Sequence, residues 1–230
     1  MPIPCCGRQD EEVKITTRGT VRRLPQRAAY DEATVHAILD AGFLAHMGFC
    51  VEGQPFVIPT LYGRTGSTLY LHGSAASRML RELEKGIAVC ATVTIVDGLV
   101  LARSAFHHSM NYRSVVAFGT ARKIEDRVEK VEALRVISEH LMAQRWDDVR
   151  TPTEQELKAT TVLKLEIEEA SAKQRSGGPV DDEEDYALGV WAGVLPVQLA
   201  TGAPEADARL TSDRAVPQYM GNFARVRGVK

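Results

Sequence analysis

Two spacings of apolar residues divide this chain into helices and strands. Val35, Ile38 and Leu39 share one helical face, between Asp31, a side chain suited to capping, and Gly42, which stops the turn. Phe43–Val51 and Pro55–Tyr62 are rich in aromatic and branched residues and predict two strands joined through Glu52-Gly53. Thr68–Leu71 predicts a third, entered through Arg64-Thr65-Gly66. Ala76, Met79, Leu80 and Leu83 return to helical spacing and predict a helix over Ala75–Lys85, with Gly86 past its end. Ile87–Val96 and Leu99–Arg103 read as two strands parted by the turn dipeptide Asp97-Gly98, and Ser114–Ile124 as a long one. Val131, Leu134, Ile137 and Leu141 mark a helix over Val128–Arg145, and Leu163, Leu165 and Ile167 alternate along a strand at Val162–Ile167.

Six or more strands, two or three helices and tight hairpins predict a mainly β protein, a small antiparallel barrel with helices packed at its ends. The 230 residues suit one large domain. Residues 1–22 are polar, lack apolar periodicity and read as a flexible leader. Residues 23–176 carry the barrel pattern. From residue 177 the chain changes to a breaker (Gly177-Gly178-Pro179), an acidic run (Asp181–Asp185) and an Ala/Gly/Pro-rich extension to residue 230.

Composition then removes whole classes of function. With a net charge of −2 and 25% charged residues, the chain is not built to coat nucleic acid or an anionic membrane. No apolar run approaches the roughly 18–20 residues that span a bilayer. The first residues lack the basic and apolar regions of a secretory signal, so a cytoplasmic protein is expected. Four cysteines without a C-x-x-C motif suit reduced, structural thiols, and no metal site is expected. The adjacent Cys5 and Cys6 could bind a metal or oxidise.

Chemistry concentrates in Leu71–Leu80, within the run Leu69-Tyr70-Leu71-His72-Gly73-Ser74-Ala75-Ala76-Ser77-Arg78. A strand enters a glycine, then a serine able to cap a helix, then an arginine in the first turn. With Ser74 as the cap, free N–H groups, two serines and a guanidinium form a seat for an anion. An ordinary strand–cap–helix corner with a solvent-facing arginine has the same pattern. Neither nucleotide fingerprint, G-x-x-x-x-G-K-[ST] or G-x-G-x-x-G, is present. Pro59 interrupts the strand Phe56–Tyr62 and assigns it to an edge or an interruption of the sheet, where the backbone of Thr60 and Leu61 could meet the polar rim of a heterocycle. His107-His108-Ser109-Met110-Asn111-Tyr112-Arg113-Ser114 is a polar cluster between two β runs. It is either a plain loop or the source of a histidine that touches a ring or moves a proton.

The order of these pieces resembles the pyridoxamine 5′-phosphate oxidase-like superfamily of flavin-binding split barrels, and within it the nitroimidazole-reductase-like branch. The resemblance rests on Val57–Gly63, Leu69–Arg78 and Ser114–Ala121, with Ala170–Lys173 and Val190–Pro196 later in the chain. It implies a homodimer of six-stranded split barrels with flavin mononucleotide (FMN) at the subunit interface. Carried over, Pro59, Thr60, Leu61 and Tyr62 would line the isoalloxazine ring. His72, Ser74, Ser77 and Arg78 would hold the phosphate, and Ser114 and Val115 would approach the ribityl chain or the phosphate. His107 and Asn111 would face the open side of the ring, and Trp191 would cover the partner's flavin. His107 is the candidate for orienting or protonating a substrate.

The implied activity is flavin-dependent reduction of a small planar acceptor, a nitroaromatic or quinone, with NADH or NADPH as donor. The alternatives are a non-catalytic flavin carrier or redox sensor, and a cleft occupied by haem or a deazaflavin. Pyridoxamine phosphate oxidases proper carry an R-L-x-D-R motif. Here Arg209-Leu210-Thr211-Ser212-Asp213-Arg214 is one residue longer, which counts against vitamin B6 oxidation.

Overall fold

A computed structural model describes residues 16–211 and 214–222. Among these residues the chain runs β1 (Ala28–Ala29), α1 (Glu32–Ala41), β2 (Leu44–Val51), β3 (Gln54–Leu61), β4 (Gly63–Thr65), β5 (Thr68–Ser74) and α2 (Arg78–Leu83). It continues through β6 (Ala88–Leu101), β7 (Ser109–Lys123), α3 (Arg127–Leu141), α4 (Glu154–Ala159), β8 (Thr160–Arg175) and β9 (Gly193–Pro196). All nine strands join one antiparallel sheet in the order β3-β2-β6-β7-β8-β5-β4, with β1 on β8 and β9 on β6. The strand count therefore exceeds the six expected, while the mainly β antiparallel class is as read.

The terminal strands β3 and β4 are separated in sequence by Tyr62 alone. The sheet consequently curls until its two ends meet there, and the split of the barrel lies between β3 and the β4–β5 pair. Alternation supplies the interior: Ala45, Met47 and Phe49 of β2, Leu69 and Leu71 of β5, Val89, Ala91 and Val93 of β6, and Leu163 and Leu165 of β8 are all buried. Helix α1, capped by Asp31 as its sequence predicts, adds Val35, Ile38 and Leu39 to this core. Helix α3 lies on the outside of β4. A Cβ on Gly63 would stand 2.7 Å from the backbone of Ile137, so only glycine permits that approach.

Four expectations change. Asp97-Gly98 does not end a strand, because both flanking runs belong to β6, with a register shift between Val96 and Gly98. Strand β7 begins at Ser109, so all of the polar cluster after His108 is strand and not loop. The outer half of the β6–β7 hairpin, with β9 beside it, thus forms a long arm. The predicted helix Ala75–Lys85 shrinks to Arg78–Leu83 with Ser77 at the N-cap position, so Ser74 is the last residue of β5 instead of a cap. Finally, residues 16–18 of the expected leader are tied down: Thr16 donates to Glu169 at 2.6 Å and Arg18 pairs with Glu168 and Glu169. Cys5 and Cys6 lie outside the described residues.

Candidate functional site at the β5–α2 corner

The corner brings together Ser74, Ser77 and Arg78, three of the residues expected to hold a phosphate. Ser74 ends β5 exposed, and its Oγ accepts from the N–H of Ala76 at 3.2 Å, which shapes the turn. Ser77 occupies the cap position with no side-chain capping bond, leaving its hydroxyl uncommitted to the helix. Arg78 follows as the first helical residue. No carboxylate among the described residues pairs with it; its guanidinium lies 5.6 Å from the centroid of Phe56, which in turn stacks on Phe49 at 5.5 Å. An aromatic shelf thus holds an uncompensated cation beside two serines, an arrangement suited to a phosphate or carboxylate. Helix α2 is only six residues long, so the side chains carry this seat more than the helix dipole does.

Strand β3 brings the second part. It is a terminal strand of the sheet, as Pro59 requires, so one of its backbone edges has no strand partner among the described residues. Pro59 is exposed, Thr60 and Leu61 are half-buried, and Thr60 Oγ1 donates to the carbonyl of Leu61 at 3.2 Å. Tyr62 departs from the expected ring-lining set. Its side chain is 1% exposed, packs against His140 with ring centroids 4.7 Å apart, and donates to the carbonyls of Leu39 (2.5 Å) and Gly42 (3.2 Å). Its phenol therefore fastens α1 to the core and points away from the edge. Val115 is likewise buried in the core, so only its backbone is available to a ligand.

His72 sits between these parts, half-buried on β5. Burial pushes its imidazole below the usual histidine range, favouring the neutral ring. Its Nδ1 is enclosed with no hydrogen-bond partner. A neutral ring can donate one hydrogen bond to a phosphate but adds no charge.

The remaining candidates fall elsewhere. Ser74 pairs with Thr160, at the start of β8, whereas Arg175, at its end, pairs with Tyr112 next to Asn111. The sixteen residues of β8 represent about 50 Å of extended chain. His107 lies in a short 3-10 turn at the tip of the arm, with Nε2 3.3 Å from Asp182. Asn111 is buried, donating to the carbonyl of Gly177 at 3.1 Å and accepting from Arg175. Trp191 is 67% exposed just before β9, which pairs with the arm. Ser114 donates to the carbonyl of Lys173 at 3.3 Å, also toward that end of β8.

Sequence reasoning missed Arg113, Arg175 and Asp97, which line a polar cleft of about 340 Å³ at the base of the arm. Asp97 accepts two hydrogen bonds from Arg113, at 2.7 and 2.9 Å, across the strand pair. Reading Asp97-Gly98 as a turn hid that pairing. Among the described residues no group of three His, Cys, Asp or Glu side chains could hold a metal, and no helix is long and apolar enough to cross a membrane.

Comparison with known proteins places this geometry. The flavocytochrome Anf3 from Azotobacter vinelandii shares 44% identity with a TM-score of 0.84, over 90% of this chain and 97% of that one. The FAD and haem binding protein from Mycobacterium smegmatis shares 33% identity with a TM-score of 0.82, over 85% and 96%. A putative 5-nitroimidazole antibiotic resistance protein from Bacteroides thetaiotaomicron is more distant, at 25% identity and a TM-score of 0.54 over 64% and 85%. The comparison with curated proteins gives no match. Residues 31–174 match the family model described as pyridoxamine 5′-phosphate oxidase, and the chain belongs to that family.

Proposed function

We propose that this protein binds a flavin through its phosphate at the β5–α2 corner and passes electrons between a reduced nicotinamide donor and a small planar acceptor. The observation that carries the reading is the uncompensated Arg78 guanidinium, shelved on Phe56 between Ser74, Ser77 and the free edge of β3. FMN is the cofactor read from the sequence, and FAD, named for the Mycobacterium smegmatis neighbour, contains the same riboflavin phosphate. A bound flavin supplies reversible electron and hydride transfer, which needs no protein nucleophile. The chain's own residues bind and orient: Arg78 and the serines fix the phosphate, and the unpaired backbone of Pro59–Leu61 meets the ring's polar rim. His107 is the candidate for contacting the acceptor, a nitroaromatic or quinone. Oxidation of pyridoxamine 5′-phosphate is not proposed, because the Arg209–Arg214 stretch departs from the substrate-reading motif.

Two copies are needed for this site. The corner and the group at His107, Asn111 and Trp191 lie near opposite ends of β8, so one flavin meets both only if the second group comes from a partner chain. The arm's exposed apolar side chains support that arrangement: Leu99, Leu101, Phe106 and Met110 on the hairpin, and Trp191 and Leu195 on the extension. A soluble, cytoplasmic homodimer follows as part of the proposal. Haem belongs to it too, since two neighbours above 30% identity are a flavocytochrome and an FAD and haem binding protein.

The visible spectrum of the purified protein, followed by anaerobic mixing with NADH or NADPH, tests the reading. Two flavin bands that bleach with the donor and return on adding a nitroaromatic or quinone are expected. Flavin that never bleaches with either donor would leave a non-catalytic carrier or sensor, and no flavin at all would overturn the reading.

A further inference from the structure

The arginines of the arm are paired, but the one that ends β8 is not. Arg113 holds both oxygens of Asp97 through its Nε and Nη2, at 2.9 and 2.7 Å. That fork neutralises the one carboxylate lining the cleft of about 340 Å³ at the base of the arm. Arg175 lines the same cleft without a carboxylate partner among the described residues. Its Nη1 donates to Asn111 Oδ1 and to the Gly177 carbonyl at 3.2 Å, and its Nη2 to the Gly178 carbonyl at 2.9 Å. Every one of these acceptors is uncharged. Its Nε, the atom with which Arg113 completes its grip on Asp97, has no acceptor among the described residues.

A second cation stands beside it. Ala28 pairs with Lys173 and Ala29 with Ala172, which brings Arg27 alongside the end of β8. Burial, and then the like charge of Arg27, push the Arg175 guanidinium below its ordinary range. Two such charges held together cost the folded chain free energy, yet the fold fixes them in place. Asn111 is buried, donates to the Gly177 carbonyl at 3.1 Å and accepts from Arg175, so the guanidinium cannot swing out to solvent without breaking that set. The extension closes another wall, where the Val197 N–H donates to the Asp97 carbonyl at 3.1 Å. Gln174 and Gln198 add neutral amides to the lining.

We propose that this cleft is a second anion site, which binds the phosphate monoester of a small molecule through Arg175, with Arg27 adding its charge from the side. A carboxylate would balance one of the two cations, whereas a phosphate monoester carries about two negative charges at neutral pH. The cleft's volume lies at the small end of small-molecule sites. Arg175 pairs with Tyr112 at the end of β8 remote from the Ser74–Thr160 pair, so the site is separate from the flavin seat of its own chain and does not rest on it.

Calorimetric titration of the full chain as purified, with inorganic phosphate as the probe and flavin content measured in every variant, tests the site. One phosphate per chain is expected. Arg175→Ala should weaken it by about tenfold or more, as loss of a charge-assisted contact does. Arg27→Ala should weaken it by about threefold, the size of an exposed ion pair, and serves if Arg175→Ala does not fold. No binding by the parent, or parental affinity in both variants, would overturn the proposal. Binding lost in Arg78→Ala but kept in both cleft variants would also overturn it, returning the phosphate to the corner. Competition then separates the sources. Displacement by NADP+ and not by NAD+, which lacks the monoester, would assign the group to the nicotinamide donor, and displacement by neither would leave a smaller phosphate ester as the ligand. Equal displacement by both would overturn the monoester assignment.

Discussion

The β5–α2 corner and the arm built from the outer halves of β6 and β7 handle charge in opposite ways. At the corner, Arg78 has no acidic partner among the described residues and His72 has an enclosed nitrogen without one. Along the arm, Arg103 pairs with Asp181, Arg113 with Asp97 and His107 with Asp182. The arm instead leaves its apolar side chains uncovered, with Phe106 at 89% and Trp191 at 67% exposure. In the proposed reading, a flavin phosphate balances the cation of the corner and a second copy of the chain covers the apolar side chains of the arm.

The sharpest way to break this contrast is to neutralise the corner. Arg78→Ala removes a charge-assisted contact contributing about 1.5–3 kcal/mol, which corresponds to roughly 10- to 150-fold weaker FMN binding by fluorescence titration. Binding as tight as the parent's would show that the cation is an ordinary surface arginine. At the arm, Trp191→Ala removes the largest exposed aromatic of the extension. If Trp191 anchors the interface, about 2 kcal/mol is lost and the dimer dissociates at roughly 30-fold higher concentration in sedimentation equilibrium. An unchanged dimer constant would move the partner surface elsewhere.

Tyr62→Phe separates fold from site. It removes the hydrogen bonds to Leu39 and Gly42 and should lower unfolding stability by about 1 kcal/mol in urea, with FMN affinity unaltered. A large loss of affinity at equal stability would give the phenol back to the ring. The smallest effect expected is on pH. Burial works to raise the Asp181 carboxyl, but the hydrogen bonds from Arg103 outweigh it and hold the group below its ordinary value of 3.8. A depressed carboxylate stabilises the fold above the unfolded value and loses that contribution as pH falls through the folded one. The extension should therefore stay latched to the arm at pH 5 and begin to loosen only below about pH 4, seen as faster amide exchange around residues 102–104. Loosening already between pH 7 and 5 would contradict the latch.

Much of this contrast was legible in the amino-acid pattern, for physical reasons. Alternation placed the core strands, because one buried face per strand imposes a period of two. Pro59 announced an edge strand because it cannot donate to a ladder. Local reading failed where partners are distant in sequence. Asp97-Gly98 looks like a turn, yet pairing with β7 on one side and β9 on the other keeps β6 continuous through it. Ser74 and Ser77 are equally good caps by type, and only the Ser74–Thr160 pairing, which extends β5, shifts the cap to Ser77. The Tyr62 phenol and the Arg103–Asp181 pair depend on contacts 23 and 78 residues away, which no local periodicity encodes.

The central claim is that the corner reads a phosphate, and comparing ligands that differ only there tests it most directly. Titrating the flavin-free protein with FMN and with riboflavin, under identical conditions, isolates the seat from the ring. FMN is expected to bind at least tenfold more tightly, with the difference shrinking at high salt and disappearing in Arg78→Ala. Riboflavin binding as tightly as FMN would contradict the account.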